Sequence, residues 1–204
     1  MNRTLDTLLH RVTAPEAGVA ESPLGSVITV LNEEAVISAA LANKQGINLA
    51  VSYEAFAVKM LGAMRQEMIF SRRLIESGRE VNWISVPIIL TSHTWENSKN
   101  EQSHQDPSLS EAWIQEMSDA APVYFPFDAN TAVECLSHIY KTRGKIATVI
   151  VPKNKVPTET NKQEAALAIS EGATVLSHDT NSQLQLLAIG AYQLQEVQRA
   201  AKRL

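Results

Sequence analysis

The amino-acid sequence predicts an α/β fold in which a mostly parallel sheet of about six strands carries helices on both faces. Short runs rich in Val, Ile and Leu alternate along the chain with longer segments of helical periodicity. Two of these runs, residues 26–31 and 146–151, have the β-branched composition of strands buried inside a domain. Strands that alternate with helices in this way pair mostly in parallel, with the helices packed on the sheet.

The composition is that of a globular domain. Of the 204 residues, 45% are apolar and 20% are charged, which is enough to bury a sizeable core. The net charge is −4 without a basic run, so nucleic acid is not the expected partner. No apolar run approaches the length of a membrane span, and the first residues lack the apolar core of a signal peptide. The single cysteine, Cys135, fits a reducing cytoplasm, where we expect the protein to reside.

The strands are predicted from β-branched or aromatic runs bounded by turn residues. Residues 1–25 precede them and are predicted as an N-terminal helix and connector, so that the domain itself spans residues 26–204. The predicted strands are residues 26–31, 47–51, 84–90, 122–125, 146–151 and 173–176.

The helices are predicted from polar caps, helical periodicity and glycine stops. Asn32, Asp128 and either Ser108 or Ser110 stand at helix starts, where short polar side chains accept hydrogen bonds from the first turn. A stripe of methionines in the second helix is predicted to pack in the core. The predicted helices are residues 33–44, 53–77, 108–117, 130–141, 164–171 and 181–204.

A long polar loop with two histidines, residues 91–107, follows the third predicted strand. The carboxyl ends of parallel strands share one edge of the sheet, and ligand sites of open α/β folds form there. Residues that follow the six strands should therefore converge at this edge. They are Asn32, Glu33, Ser52, Tyr53, the loop of residues 93–104, Asp128, Lys153 and His178.

Several segments together resemble one enzyme family. They are SHTWENSKNEQSHQDP at 92–107, SYEAF at 52–56, VLNEE at 30–34, FPFDANTAVECL at 125–136 and GAYQLQEV at 190–197. They are similar to the phosphoketolases, thiamine-diphosphate enzymes related to transketolase, over roughly residues 24–200. The resemblance implies a transketolase-like pyrimidine-binding domain. In the family a separate domain holds the diphosphate and Mg²⁺, and no GDG…N metal pattern occurs in these residues, so the chain alone is expected to be inactive.

The resemblance implies a cofactor role for Glu33 and Phe56. Glu33 matches the family's glutamate that hydrogen-bonds N1′ of the aminopyrimidine, and the match of VLNE to VLSE favours it over Glu34. On the residues alone, the better interpretation of Glu33 is an acid in the first turn of a helix, favourable to the helix dipole. Phe56 is expected to pack beside the cofactor ring.

The resemblance also implies a phosphate site and a proton-transfer histidine. Tyr53, Asn100 and Lys153 match phosphate-binding residues of the family, although Lys155 fits the last position with a shift of the alignment. Lys99 stands where better-known members carry histidine, and can meet phosphate as a point charge.

His104 matches the family's histidine near the reactive carbon, and imidazole suits proton transfer near neutral pH. The role of His93 stays open. No metal site is predicted, because His93 and His104 lack the spacing of a helical ligand pair.

Two functions follow from these observations. In the first, the chain is the pyrimidine-binding part of an enzyme that cleaves a ketose phosphate with inorganic phosphate to acetyl phosphate and an aldose phosphate. A diphosphate-binding domain would then come from another chain or another part of the gene product. In the second, it is a non-catalytic remnant, or a regulatory or dimerisation module, of the same fold. Either way, an apolar partner face predicts a homo-oligomer or a complex.

Overall fold

The computed structural model describes residues 32–91, 106–116 and 119–204. Within these ranges four strands form one sheet in the order β1-β2-β4-β3, and every neighbouring pair is parallel. The α/β class and the parallel sheet are therefore confirmed. The strands are β1 (Ala50–Tyr53), β2 (Val86–Thr91), β3 (Val123–Tyr124) and β4 (Ile146–Ile150).

Seven α-helices occur in the described ranges, and a 3₁₀ turn, Val58–Met60, joins the second to the third. The helices are α1 (Glu33–Ala42), α2 (Glu54–Ala57), α3 (Leu61–Glu76), α4 (Ser108–Glu116), α5 (Ala129–Lys141), α6 (Lys162–Glu171) and α7 (Gly190–Ala201). Across these residues, no helix combines the length and the apolar character that crossing a membrane demands.

Helices cover both faces of the sheet, as predicted. Alternate side chains of a strand point to opposite faces, and the packing follows this alternation. Ile88 and Leu90 of β2 lie in one cluster with residues of α1, α3 and α4, whereas Ala147 and Val149 of β4 pack against α5. The methionine stripe is in the first cluster. Met60, Met64 and Met68 are each at most 2% exposed, which confirms that they are core residues.

Two of the predicted helix caps are confirmed. The Oδ1 atom of Asn32 accepts a hydrogen bond from the N–H of Ala35 at 2.9 Å. Asp128 caps α5 through a reciprocal pair of hydrogen bonds with Thr131. At α4, which begins at Ser108, it is the carboxylate of Asp106 that accepts a hydrogen bond from the N–H of Ser108. Gly172 ends α6 with a φ of 76°, a conformation that favours glycine.

The boundary between the second predicted strand and its following helix was wrong. The structure continues the strand to Tyr53, because residues 50–53 pair with residues 88–91 of β2. The helix predicted for residues 53–77 is also not continuous. It begins at Glu54, passes through the 3₁₀ turn of residues 58–60 and resumes at Leu61.

The predictions for the C-terminal part were only partly correct. No strand forms at residues 173–176, where Val175 is 71% exposed, because this segment does not pack on the sheet. Helix α7 begins at Gly190 instead of residue 181, and Leu187 just before it is 80% exposed. The described sheet therefore has four strands, whereas six were predicted; the strand at residues 26–31 and the N-terminal helix and connector lie outside the described residues.

Candidate functional site

The carboxyl edge of the sheet brings together Tyr53 and Lys153, which are a hundred positions apart in sequence. Tyr53 is the last residue of β1, and Lys153 follows the end of β4. The Nζ atom of Lys153 lies 3.9 Å from the centroid of the Tyr53 ring, a cation–π contact. These two predicted phosphate-binding residues thus share one place on the edge.

Glu33 and Phe56 meet nearby through a lysine. The Nζ atom of Lys59 lies 3.6 Å from Oε2 of Glu33 and 5.1 Å from the centroid of the Phe56 ring. The Phe56 and Tyr53 rings are 5.8 Å apart, centroid to centroid. Glu33, Lys59, Phe56, Tyr53 and Lys153 therefore form one continuous series of contacts, which we call the Glu33 row.

Local structure explains why Glu33 rather than Glu34 joins this row. Both are first-turn acids of α1, and neighbouring side chains on a helix point about 100° apart. The Oε1 atom of Glu34 approaches Gly62 of α3, where a Cβ would lie 3.3 Å from it. The two carboxylates therefore face different neighbours: Glu33 meets Lys59 of the 3₁₀ turn, and Glu34 approaches Gly62 of α3.

Lys59 was not predicted from the sequence. A lysine within a helical pattern is usually a solvated residue, and the 3₁₀ turn that carries it leaves no clear mark in the sequence. The available signal was its spacing from Phe56, because side chains three positions apart on a helical turn lie on the same side.

On the other half of the edge, Asp128 links the start of α5 to the loop before α6 by hydrogen bonds. Its Oδ1 accepts hydrogen bonds from the N–H and hydroxyl of Thr131 at 2.8 and 2.7 Å. Its Oδ2 accepts from the N–H of Glu159 at 2.9 Å and from the N–H and hydroxyl of Thr160 at 2.8 Å. We call these four residues the Asp128 clasp.

The clasp keeps Asp128 ionised. Burial acts to raise the pKa of this carboxyl, but the hydrogen bonds from Thr131 and Thr160 outweigh it, and the net pKa is below the ordinary value. Its acceptor atoms are engaged within the chain, so Asp128 has a structural role despite its position after β3.

A cavity of about 320 Å³ lies between the start of α5 and the loop after β4. Its walls include Ala129, Ala132, Val151 and Pro152, and Lys155 lines it as well. The two candidate lysines of this loop therefore lie in different surroundings. Lys153 contacts Tyr53, and Lys155 borders the cavity.

The structure does not test most of the remaining predicted residues. His93, Lys99, Asn100 and His104 lie outside the described residues. His178 follows no strand and is exposed. No group of three or more His, Cys, Asp or Glu side chains that suits a metal ion occurs in the described ranges.

Cys135 is fully buried beside Ile139 and Val149, as expected for a packing residue. Burial raises the pKa of its thiol to about 12. Because the thiolate is the reactive form of cysteine, this side chain is inert at neutral pH.

The fold and the row define a class: a parallel α/β domain with an anionic side chain, two aromatic rings and two lysines at the carboxyl edge of its sheet. The sequence model of the D-xylulose 5-phosphate/D-fructose 6-phosphate phosphoketolases matches residues 1–142. The chain belongs to this family, which generally depends on thiamine diphosphate. Glu33, Tyr53, Phe56 and Lys59 fall within the matched residues, and Lys153 falls beyond them.

Relatives described as probable phosphoketolases are similar to parts of the chain. One from Streptomyces avermitilis is 28% identical over 158 residues, which cover 73% of this chain and 19% of that protein. One from Brucella abortus is 33% identical over 131 residues, which cover 59% of this chain and 16% of that protein. The chain therefore spans about a fifth or less of the length of these relatives.

Proposed function

We propose that this chain supplies the pyrimidine-binding domain of a thiamine-diphosphate-dependent phosphoketolase. The observation that carries the proposal is the Glu33 row. Its four predicted members, Glu33, Phe56, Tyr53 and Lys153, come from three separate stretches of sequence and lie at one edge of the sheet, where Lys59 joins Glu33 to Phe56 and the other three are in successive contact. Residues that the family resemblance selects from distant parts of the sequence therefore meet at one place in the fold, which supports the proposal.

The residues present fit the aminopyrimidine part of this cofactor. Glu33 is partly exposed, with 26% of its side chain accessible, and its carboxylate can accept a hydrogen bond from a protonated ring nitrogen. The half-buried ring of Phe56 offers an apolar face for a flat heterocycle. Thiamine diphosphate, when bound, supplies the nucleophilic carbon that attacks the ketose carbonyl.

In the proposed reaction, a ketose phosphate and inorganic phosphate yield acetyl phosphate, an aldose phosphate and water. Lys153 and Tyr53 are proposed to bind a phosphate group, Lys153 through its charge and Tyr53 through its hydroxyl. Lys99 and Asn100 are proposed to add contacts to phosphate, and His104 to transfer a proton near the reacting carbon. The single buried cysteine suits the cytoplasm, which we propose as the setting.

The diphosphate and its Mg²⁺ are proposed to be held by a domain supplied by another chain or another part of the gene product. Assembly is supported by exposed apolar side chains in β1 and in the three residues before it. Val51 and Tyr53 of β1 are 48% and 37% exposed, and Ile47 and Leu49 before the strand are 75% and 50% exposed. Val51 and Tyr53 share one face of β1, because alternate residues of a strand do, and the exposed Ile47 and Leu49 precede them; we call these four positions the apolar strip. Strips of this kind mark surfaces that bind a partner, and we propose that this one joins two copies of the chain.

Sedimentation velocity tests the assembly. We expect the chain to form dimers, and Leu49→Asp together with Val51→Lys to yield monomers because both place charges on the strip. Val175→Asp, at an exposed position away from β1, is the control and should leave the dimer intact. A wild-type monomer at high protein concentration would contradict the proposal.

An acetyl phosphate assay tests the function. The chain is mixed with a diphosphate-binding domain from a phosphoketolase, thiamine diphosphate, Mg²⁺, phosphate and fructose 6-phosphate or xylulose 5-phosphate. We expect product only when both parts are present, because each carries a different portion of the cofactor site. The alternative, a non-catalytic dimerisation module, is favoured by the apolar strip alone and predicts dimers without product in any mixture.

A further inference from the structure

Lys59 occupies the position between the two residues proposed to meet the aminopyrimidine. Its Nζ atom is 3.6 Å from the Glu33 carboxylate and 5.1 Å from the Phe56 ring centroid. Its side chain is 58% exposed, so it reaches the site from the solvent side. The ammonium thus covers both the acceptor atom and the apolar face that a flat heterocycle would need.

We propose that Lys59 is a positioning residue that holds the Glu33 carboxylate and covers Phe56 until an aminopyrimidine displaces it. This inference rests on the proposed function, because it concerns the same pyrimidine site. It adds a residue to that site and states what the residue does there: Lys59 competes with the ring for Glu33, and so lowers the affinity for ligands that lack a second anchor.

Local structure places Lys59 for this role. Lys59 lies in the 3₁₀ turn and Phe56 lies three positions earlier in α2, a spacing that places the two side chains on the same side of the helical chain. The next residue, Met60, is 1% exposed and anchors the turn in the core. Lys59 is therefore presented by a fixed backbone on a long, flexible side chain.

The two contacts of Lys59 are of a kind that a ligand can replace. Partly exposed ion pairs and cation–π contacts are weak because water competes for the ammonium. A protonated aminopyrimidine would give Glu33 a charge-assisted hydrogen bond and give Phe56 a stacked ring. The displaced ammonium would return to water, which solvates it well.

The chain contains a lysine in a similar setting, but with a buried ammonium, at the opposite edge of the sheet. Lys44 lies between a carboxylate and an aromatic ring too, with Nζ 2.5 Å from Oε1 of Glu67 and 4.8 Å from the centroid of the Trp83 ring. Lys44 precedes β1 in the sequence, whereas Lys59 follows β1. A general effect of removing a lysine from an acid and a ring would appear at both positions, and an effect on the pyrimidine site only at Lys59.

The experiment is an NMR titration of the ¹⁵N-labelled full chain with 4-amino-5-hydroxymethyl-2-methylpyrimidine, which has no diphosphate. We expect Lys59→Met to bind this probe about tenfold more tightly than wild type, because both competing contacts are removed. Lys59→Arg should restore wild-type affinity, because it keeps the charge. Lys44→Met should not change affinity, and Glu33→Gln should abolish binding in the wild-type and the Lys59→Met backgrounds.

Amine labelling of wild type by reductive methylation provides a second measurement. Saturating probe should speed the labelling of Lys59, since its ammonium leaves the carboxylate, and should leave Lys44 unchanged. If Lys59→Met binds no more tightly than wild type while Glu33→Gln abolishes binding, the role of Lys59 is refuted and the pyrimidine site stands. Weaker binding by Lys59→Met would also refute it. If neither wild type nor Lys59→Met binds the probe, both the pyrimidine site and the role of Lys59 fail.

Discussion

The two halves of the sheet's carboxyl edge use their charges in different ways. In the Glu33 row, the charged groups meet each other or a ring at 3.6 to 5.1 Å, and Lys59 and Lys153 are exposed. In the Asp128 clasp, one buried carboxylate accepts hydrogen bonds of 2.7 to 2.9 Å on both oxygens. Both halves follow parallel strands and both contain an acid at the first turn or cap of a helix.

The difference separates the proposed binding site from a structural link. Close hydrogen bonds to a buried carboxylate are costly to lose, because each unpaired N–H then remains without water. Contacts at longer range between partly exposed groups cost little to exchange, and so they can be replaced by a ligand. The carboxyl edge of an α/β sheet thus contains acids of both kinds, and the distances and burial of their partners distinguish them.

The largest effect is expected from the carboxylate of the Glu33 row. In the assembled enzyme, Glu33→Gln should lower turnover by about a hundredfold or more, because an amide stabilises a protonated ring nitrogen much less than a carboxylate does. Glu34→Gln is the matched control and should be nearly silent, since Glu34 faces Gly62. Acetyl phosphate formation measures both. Equal effects of the two substitutions would show that Glu33 has no special role.

A substitution in the Asp128 clasp should instead lower the stability of the fold. Asp128→Ala should lower the free energy of unfolding by about 3 kcal/mol, because it removes a helix cap and leaves the N–H groups of Glu159 and Thr160 unpaired. Asn161→Ala removes a cap from α6 at an exposed position and should cost only about 1 kcal/mol. Urea unfolding measures both values. A similar loss for the two variants would mean that the clasp is no more than an ordinary helix cap.

The sequence predicted the elements that local signals specify. The caps at Asn32 and Asp128 depend on residues within one helical turn, and the meeting of Tyr53 with Lys153 follows from parallel topology. Failures occurred where the outcome depends on distant partners. The run at residues 173–176 has the composition of a strand, but a strand forms only with a neighbour to pair with, and none of the described strands lies beside it.

The link from Asp128 to Glu159 and Thr160 and the contacts of Lys59 with Glu33 and Phe56 were missed for a related reason. The sequence shows Asp128 as a cap, but Glu159 and Thr160 lie in a stretch with the composition of a linker. The sequence shows Lys59 within a helical pattern, where charge usually means solvent. The partners of a charged side chain depend on the folded structure. They cannot be predicted from composition and periodicity.

A smaller effect is expected at the far end of the Glu33 row. Lys153→Met should raise the KM for inorganic phosphate or the sugar phosphate about tenfold, because one charge-assisted contact is lost, with little change in kcat. Lys155→Met is the control from the same loop, and should change KM less because Lys155 lines the neighbouring cavity. Steady-state kinetics of the assembled enzyme distinguish the two. A larger effect at Lys155 would assign the phosphate to the cavity and separate it from Tyr53.

The smallest expected effect is the pH dependence of the clasp. The folded pKa of Asp128 is below its ordinary value of 3.8, so its ionised form stabilises the fold fully above about pH 4, and this stabilisation is lost as the pH falls through the folded pKa. Asp128→Asn removes the titrating group. The stability difference between wild type and this variant should therefore be constant near neutral pH and shrink below about pH 4. Asn161→Ala removes no titrating group, and its difference from wild type should stay constant over the same range. Urea unfolding at a series of pH values between neutral and about pH 3 makes the comparison. A difference for Asp128→Asn that stays constant into acid would mean that the hydrogen bonds of the clasp do not depend on the charge of Asp128.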